Sequence, residues 1–445
     1  MTDWIDIQYK DKHYPAYLPA SITNHQIEPK LRQAFEQLDQ QLVEQLGGLP
    51  NDYQRFGLRY QAGGESAKRG VSISRQRIAM LGCCSNDDRQ AKQINHWIEA
   101  LQRVTTDISR IKNFTLSSLQ GLFHQLLDNK GKPVHIRHKQ SWVGSDDIAK
   151  AVYIPPPVAS MNALLSDLCL FLNRDDIPAT AQAALAFAQF ITIHPLRDGN
   201  GRFARALSNG ILIRRLKLPV TPPTCLYFVG EGTAAYKSAL TEFQSKGAIY
   251  QQYKKTLANE GALPQSKSDS ALLACQDKMI AAFLSMWKNA TQWSIKQHLP
   301  LLDTLQNFEH NRKTTLADGV WKKFSPLLIQ QPVFTIDSIK GPLSMSVSKI
   351  NIAIEQLEKA GIIEKAPVAK AQKQVMWCVP AVLKALKNFD QHSFLSSSRN
   401  KAVLALPPSL NQQANHPLMQ QPLRQKIEIL TPFINHRQHN PSDKL

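Results

Sequence analysis

The residues best suited to chemistry lie in one run of twelve, HPLRDGNGRFAR, from His194 to Arg205. Pro195 fixes a tight turn and places the next residues at the start of a helix. Gly199-Asn200-Gly201 supplies two positions without a β-carbon, where backbone N–H groups can turn towards an anion. Those amides coincide with the positive end of the helix dipole, where phosphate groups bind readily. Arg202 and Arg205 stand three apart, hence on one helical face, and can fork onto phosphate oxygens. Asp198 offers a hard oxygen that suits Mg²⁺ shared with phosphates. His194, just ahead of it, is placed to take a proton from a hydroxyl. Together these groups describe nucleotide-phosphate chemistry. Two other readings are weaker. GNGRFA fits the dinucleotide fingerprint G-x-G-x-x-A, but a helical pattern precedes it where that motif needs a buried strand. A basic helix-capping turn without function would not gather a base, a carboxylate and an anion hole together. The chain has no G-x-x-x-x-G-K-[ST] sequence.

Helices must hold this run in place. Apolar residues recur at helical spacing from Met161 to Leu172 and from Thr180 to Ile193, and again after the motif to about Leu216. Upstream, LRQAFEQLDQQLVEQLGGL, RQAKQINHWIEALQRV and TLSSLQGLFHQLL each read as a helix, so the first hundred residues are expected to be mostly helical. HIRHKQSWVGSDDIAKAVYIPPP changes character and reads as a short hairpin and loop around Trp142, Val143 and Gly144. Further helices are expected from Thr233 to about Leu257 and from Ser270 to Ala290. Residues 319–392 read as short helix, turn, long helix and two short strands. In the long helix Val347, Ile350, Ile354 and Leu357 share a face, and Gly361 ends it.

HPLRDGNGRFAR resembles the signature of Fic (filamentation induced by cAMP) proteins, HPFx[D/E]GNGRxxR. It matches every fixed position except that Leu196 replaces phenylalanine, an apolar exchange that should preserve burial. GKPVHIRHKQSWVG with YIPPP is similar to the family's flap, and AALAFAQFITIHP to the helix leading into the motif. The resemblance implies a mainly α fold: a Fic-type helical bundle with a small β-hairpin flap, followed by a C-terminal winged-helix domain. It also implies transfer of a nucleotide monophosphate, usually AMP from ATP with Mg²⁺, onto a Ser, Thr or Tyr hydroxyl of a protein. By position, His194 is then the base and Asp198 the metal carboxylate. Gly199, Asn200 and Gly201 cradle developing charge, while Arg202 and Arg205 hold outer phosphates. Tyr236 corresponds to a tyrosine near the adenine, and the flap at Trp142, Val143 and Gly144 to the element that aligns a target segment by strand pairing. Many relatives carry an inhibitory [S/T]xxxE[G/N] helix. Its counterpart here is ESAKRGVS, where Arg69 stands at the glutamate position if Gly70 is the motif's glycine; Glu65 is the other candidate.

Length and charge bound the remaining expectations. The chain has 445 residues with 53 Lys plus Arg against 35 Asp plus Glu, a formal charge of +18. Hydrophobic residues make up 43% and charged residues 20%, which excludes wholesale disorder and collagen-like repeats. Six cysteines without C-x-x-C spacing exclude a disulfide framework and a zinc ribbon. The N-terminus lacks a signal-peptide core, and no stretch approaches 18 uncharged apolar residues, so the chain is expected in the cytoplasm and off membranes. Export by a signal-independent route would leave no trace. The expected units are a helical N-terminal region (1–105), a catalytic core (106–217), a helical extension (218–318), a winged helix (319–392) and a partly disordered tail (393–445). Arg202 and Arg205 would face phosphates, while Arg214, Arg215 and Lys217 read as solvated. Residues 320–400 hold eleven Lys/Arg and five Asp/Glu, which permits nucleic-acid contact. Glu355 and Glu358 on the long helix favour protein interaction, a homodimer included. The rival to the enzyme is a DNA-associated regulator whose core binds nucleotide without transfer.

Overall fold

The computed structural model describes residues 4–49, 89–126, 132–222, 233–244, 277–296, 316–366 and 375–384. It opens with a hairpin that the helical expectation for the first hundred residues missed: β1 (Trp4–Tyr9) pairs antiparallel with β2 (Lys12–Tyr17), Trp4 opposite Tyr17. Ile5, Ile7 and Tyr9 alternate with Asp6 and Gln8, as a strand with one covered face requires. Lys10 and Asp11 turn the chain at φ 47° and 59°. Such turns usually advertise themselves by Asn-Gly or Asp-Gly, and this one does not.

Helices follow where periodicity placed them: α1 (Pro29–Leu46), α2 (Arg89–Arg110), α3 (Leu116–Phe123), α4 (Met161–Leu172), α5 (Ala179–Ile193) and α6 (Asn200–Leu216). Helix α5 is buried along its whole length, because ATAQAALAFAQFITI is apolar on every face. Its two glutamines are satisfied internally: the Gln182 amide donates to Phe171 O (3.0 Å) and Arg174 O (2.8 Å), and that of Gln189 to Ala20 O (2.9 Å). Asp39 on α1 accepts from the Ala179 and Thr180 backbone N–H groups (2.7 and 2.9 Å) and the Thr180 hydroxyl, capping α5 from outside. Burial holds the Asp39 carboxyl above its ordinary value.

Helices α4, α1 and α6 pack around α5, and α2 lies along α6. Phe123, Phe190 and Phe203, from α3, α5 and α6, meet ring to ring with centroids 4.7–5.9 Å apart. All three are fully buried and join α3, α5 and α6. At the far end of α6, Arg214 donates to Leu172 O (2.8 Å) and lies 4.9 Å over the Phe114 ring. Arg215 donates to Gln182 Oε1 and Ile177 O, both at 2.8 Å. These two arginines are therefore not merely solvated: they satisfy carbonyls at and beyond the end of α4, and burial lowers the pKa of both.

Beyond α6 come α7 (Thr233–Phe243) and a helix, α8, at 277–296. The C-terminal unit then runs α9 (Asp318–Gln330), β3 (Val333–Phe334), α10 (Ile336–Leu343), α11 (Val347–Lys359), β4 (Glu364–Lys365) and β5 (Trp377–Cys378). Its sheet is antiparallel in the order β3-β5-β4. On α11 the buried face is Ile350, Ala353, Ile354 and Leu357. Val347, expected on that face, is 39% exposed because it is the first helical residue and projects past the core. No helix among the described residues is long and apolar enough to cross a membrane.

Candidate active site

Helix α5 ends at His194, which turns the chain in the left-handed conformation (φ 51°, ψ 54°) while its N–H still bonds Phe190 O at 3.0 Å. The following loop is locked by one side chain. Asn200 Oδ1 accepts from Leu196 N (2.9 Å) and Asn200 Nδ2 donates to Leu196 O (2.8 Å). Leu196 is 1% exposed, so the leucine in place of phenylalanine is buried as expected. Residues 135–137 run antiparallel to the loop: Arg137 N donates to Pro195 O (2.9 Å) and Arg197 N to His135 O (3.1 Å). The Asn200 side chain is thus structural, and only its backbone is placed to meet a ligand. Asn200→Ala leaves the Leu196 N–H and carbonyl without that partner and should cost about 1–3 kcal/mol, read by urea unfolding.

At Gly199 the backbone adopts φ 85°, and its N–H bonds Asp198 Oδ1 at 2.7 Å before α6 begins. Among the described residues no side chain caps that helix start, and its first turn holds no acidic residue. A β-carbon on Gly199 would stand 3.2 Å from Arg202 Nη2, and one on Gly201 3.4 Å from Arg205 Nη1. Both guanidinium groups therefore fold back over the positive end of their own helix, buried to 2% and 4% exposure. Cations at that end of a dipole favour a neighbouring anion. The half-exposed Asp198 supplies one negative charge, its Oδ2 lying 2.9 Å from Arg202 Nη2, and the Trp97 ring on α2 lies 5.3 Å from the same guanidinium. Two arginines, a helix start and one carboxylate are the groups with which a polyanion and a cation could be held here.

The Asp198 carboxylate fits Mg²⁺ that phosphate oxygens also hold, a common arrangement for this ion. Among the described residues no group of three or more His, Cys, Asp or Glu could hold a metal by itself.

The flap residues are tied to the end of α5 through Tyr153, whose hydroxyl donates to Thr192 O. Val143 N donates to Tyr153 O (2.8 Å), closing the flap with a single bridge in place of a hairpin ladder. Gly144 turns at φ 95° against Val152, where a β-carbon would stand 2.8 Å from Val152 Cβ. Trp142 packs edge-on to Tyr9 with centroids 5.2 Å apart, so the N-terminal hairpin braces the flap. Tyr236 on α7 meets Phe187 of α5 at 5.9 Å, seven residues before His194 in sequence. Glu65 and Arg69 lie outside the described residues. Sequence reasoning missed Arg137 and Tyr153. The Arg137 guanidinium donates to His194 O (2.8 Å) and Pro156 O (2.5 Å), and the Tyr153 hydroxyl to Thr192 O (2.6 Å). Their only sequence signal was an arginine and a tyrosine inside an otherwise loop-like run ahead of the three prolines.

Residues 113–212 match the model of the Fic/DOC family. Among solved structures, the chain is similar to a Fic family protein from Desulfovibrio desulfuricans, at 14% identity over 82% of this chain and 98% of that one, with TM-score 0.41. It is also similar to Fic-1 from C. elegans (18% identity, 59% of this chain and 72% of that one, TM-score 0.35). A third is a Fic domain containing signaling protein from Bacteroides thetaiotaomicron (15%, 58% and 96%, TM-score 0.33). Proteins of this family generally transfer AMP or another nucleotide moiety to proteins, using ATP and a divalent metal. The segment from residue 113 to residue 212, with the motif inside it, is a Fic/DOC family domain.

Proposed function

We propose that this protein transfers AMP from ATP to a Ser, Thr or Tyr hydroxyl of a target protein, and to itself. The observation that supports this reading is the orientation of the His194 ring. Its Nδ1 lies 3.2 Å from Ile191 O. A carbonyl can only accept, so Nδ1 is the hydrogen-bearing nitrogen, and in the neutral form of the ring the lone pair belongs to Nε2. That nitrogen takes the proton as the target oxygen attacks the α-phosphorus. The new O–P bond forms, the bond to the β-phosphate oxygen breaks, and pyrophosphate leaves. Arg202, Arg205 and the backbone N–H groups that open α6 bind the phosphates and stabilise the charge that develops on them. Asp198 would hold Mg²⁺, which would supply further charge neutralisation when bound. Tyr236 is the candidate for contact with the adenine.

The target segment would lie along the flap, where Val143 and Gly144 offer backbone pairing that tolerates many sequences. In the C-terminal unit, the order of helices and strands supports a winged helix. Exposed Lys349, Glu355 and Lys359 give α11 a mixed face that favours a protein partner over DNA phosphates.

The test uses the full-length protein with Mg²⁺, a cell lysate, and ATP labelled at either the α- or the γ-phosphate. Label should reach protein from α-labelled ATP only. Label from the γ-phosphate would indicate phosphotransfer, and stronger transfer from another labelled nucleotide would reassign the donor.

A further inference from the structure

We infer that Arg137 and Tyr153 form a clamp that positions His194 from the flap side. The inference rests on the reading of His194 as the base. The last carbonyls of a helix lack intrahelical partners, and here those at the end of α5 are satisfied by two side chains from a distant segment. The Tyr153 hydroxyl donates to Thr192 O at 2.6 Å. The Arg137 guanidinium reaches Ile193 O (Nη2, 3.4 Å) and His194 O (Nε, 2.8 Å). Both residues are buried, at 3% and 2% exposure. A cation at this end of α5 is favoured by the helix dipole. Burial pushes the Arg137 pKa down to about 10, which leaves it charged at neutral pH.

Three features separate this clamp from ordinary packing. His194 sits in the left-handed region, where a residue with a β-carbon persists only if its surroundings impose it. The bond to His194 O lies in the same residue as the imidazole, so movement of that carbonyl reorients the ring. The other ends of the clamp belong to the flap: Arg137 Nη2 also donates to Pro156 O at 2.5 Å, and the Tyr153 carbonyl accepts from Val143 N at 2.8 Å. One pair of side chains thus joins the proposed target-docking strand to the proposed base. Both are positioning residues, since neither is placed against the reacting atoms.

The test compares Arg137→Met, Arg137→Lys and Tyr153→Phe with wild type. A misplaced base costs on the order of 10²-fold in rate. Arg137→Met should therefore lower kcat by about that factor, with the Kd for ATP–Mg²⁺ within about twofold. Lysine should restore part of the rate, since an ammonium reaches one of the carbonyls. Nitrogen-15 NMR of the His194 ring in nucleotide-free protein should show the Nδ1 resonance shifted in Arg137→Met and less so in Arg137→Lys. A folded Arg137→Met with unchanged kcat, or one whose His194 resonances do not move, overturns the clamp. If Arg137→Met does not fold, Tyr153→Phe decides through the same two readouts. Wild type without transferred label would remove the AMP-transfer reading, and the NMR comparison would still decide the clamp.

Discussion

Replacing His194 by alanine should lower AMP transfer by about 10²–10⁴-fold, the range over which a positioned general base acts. Nucleotide affinity should stay close to wild type, because the groups proposed to meet phosphates sit elsewhere: on the first turns of α6 and on the guanidinium groups of Arg202 and Arg205. Position 194 has φ 51°, so alanine there carries backbone strain of about 1–2 kcal/mol. Asparagine tolerates that conformation better than most residues, which makes His194→Asn the control for lost structure. Both variants should bind ATP–Mg²⁺ and both should be inactive. If asparagine restores transfer, the defect of the alanine variant is conformational and the base assignment is wrong. Titration calorimetry alongside the labelling assay reads both quantities on the same preparations.

The sequence was most informative where unlike residues crowd into one short run. His194, Asp198, Gly199, Arg202 and Arg205 are each common, but their spacing on one turn and the helix after it leaves few other uses. Helix α5 was equally plain, since fifteen consecutive buried positions leave a nearly unbroken apolar run. What sequence could not show was partnership at a distance. Arg137 reads as one more charge in HIRHK until the fold brings α5 to it, and Asp39 reads as a polar position on an amphipathic helix until it caps α5 across 140 residues. Arg214 and Arg215 failed the same way: periodicity put them at the end of α6, and only the packing of α4 gave them carbonyls to bond. The β1–β2 hairpin was missed for a local reason, a Lys-Asp turn that takes positive φ without glycine.

Gly210 carries the largest expected effect on stability. Helices α2 and α6 approach so closely there that a β-carbon would stand 2.6 Å from Ile108 Cβ and 3.1 Å from Thr105 O. Two terms oppose each other in Gly210→Ala. Removing glycine from a helix interior gains about 1 kcal/mol. Overpacking costs about 1–3 kcal/mol and sometimes more. The second term wins, because the obstructing atoms cannot swing aside: Ile108 is β-branched, with one favoured rotamer in a helix, and Thr105 O belongs to the backbone. Gly210→Ala should be destabilising in urea, and Gly210→Val should cost about 3 kcal/mol or more. Ile108→Ala alone should cost about 2–5 kcal/mol as a cavity, yet combined with Gly210→Val it should lose less than the sum, since the new methyl groups occupy the vacated space. Strict additivity would mean that the two residues do not meet. The consequence reaches the site as well, because α2 also carries Trp97, 5.3 Å from the Arg202 guanidinium. A variant that displaces α2 while remaining folded should bind ATP more weakly than wild type, although residue 210 lies more than a helical turn beyond the last motif arginine.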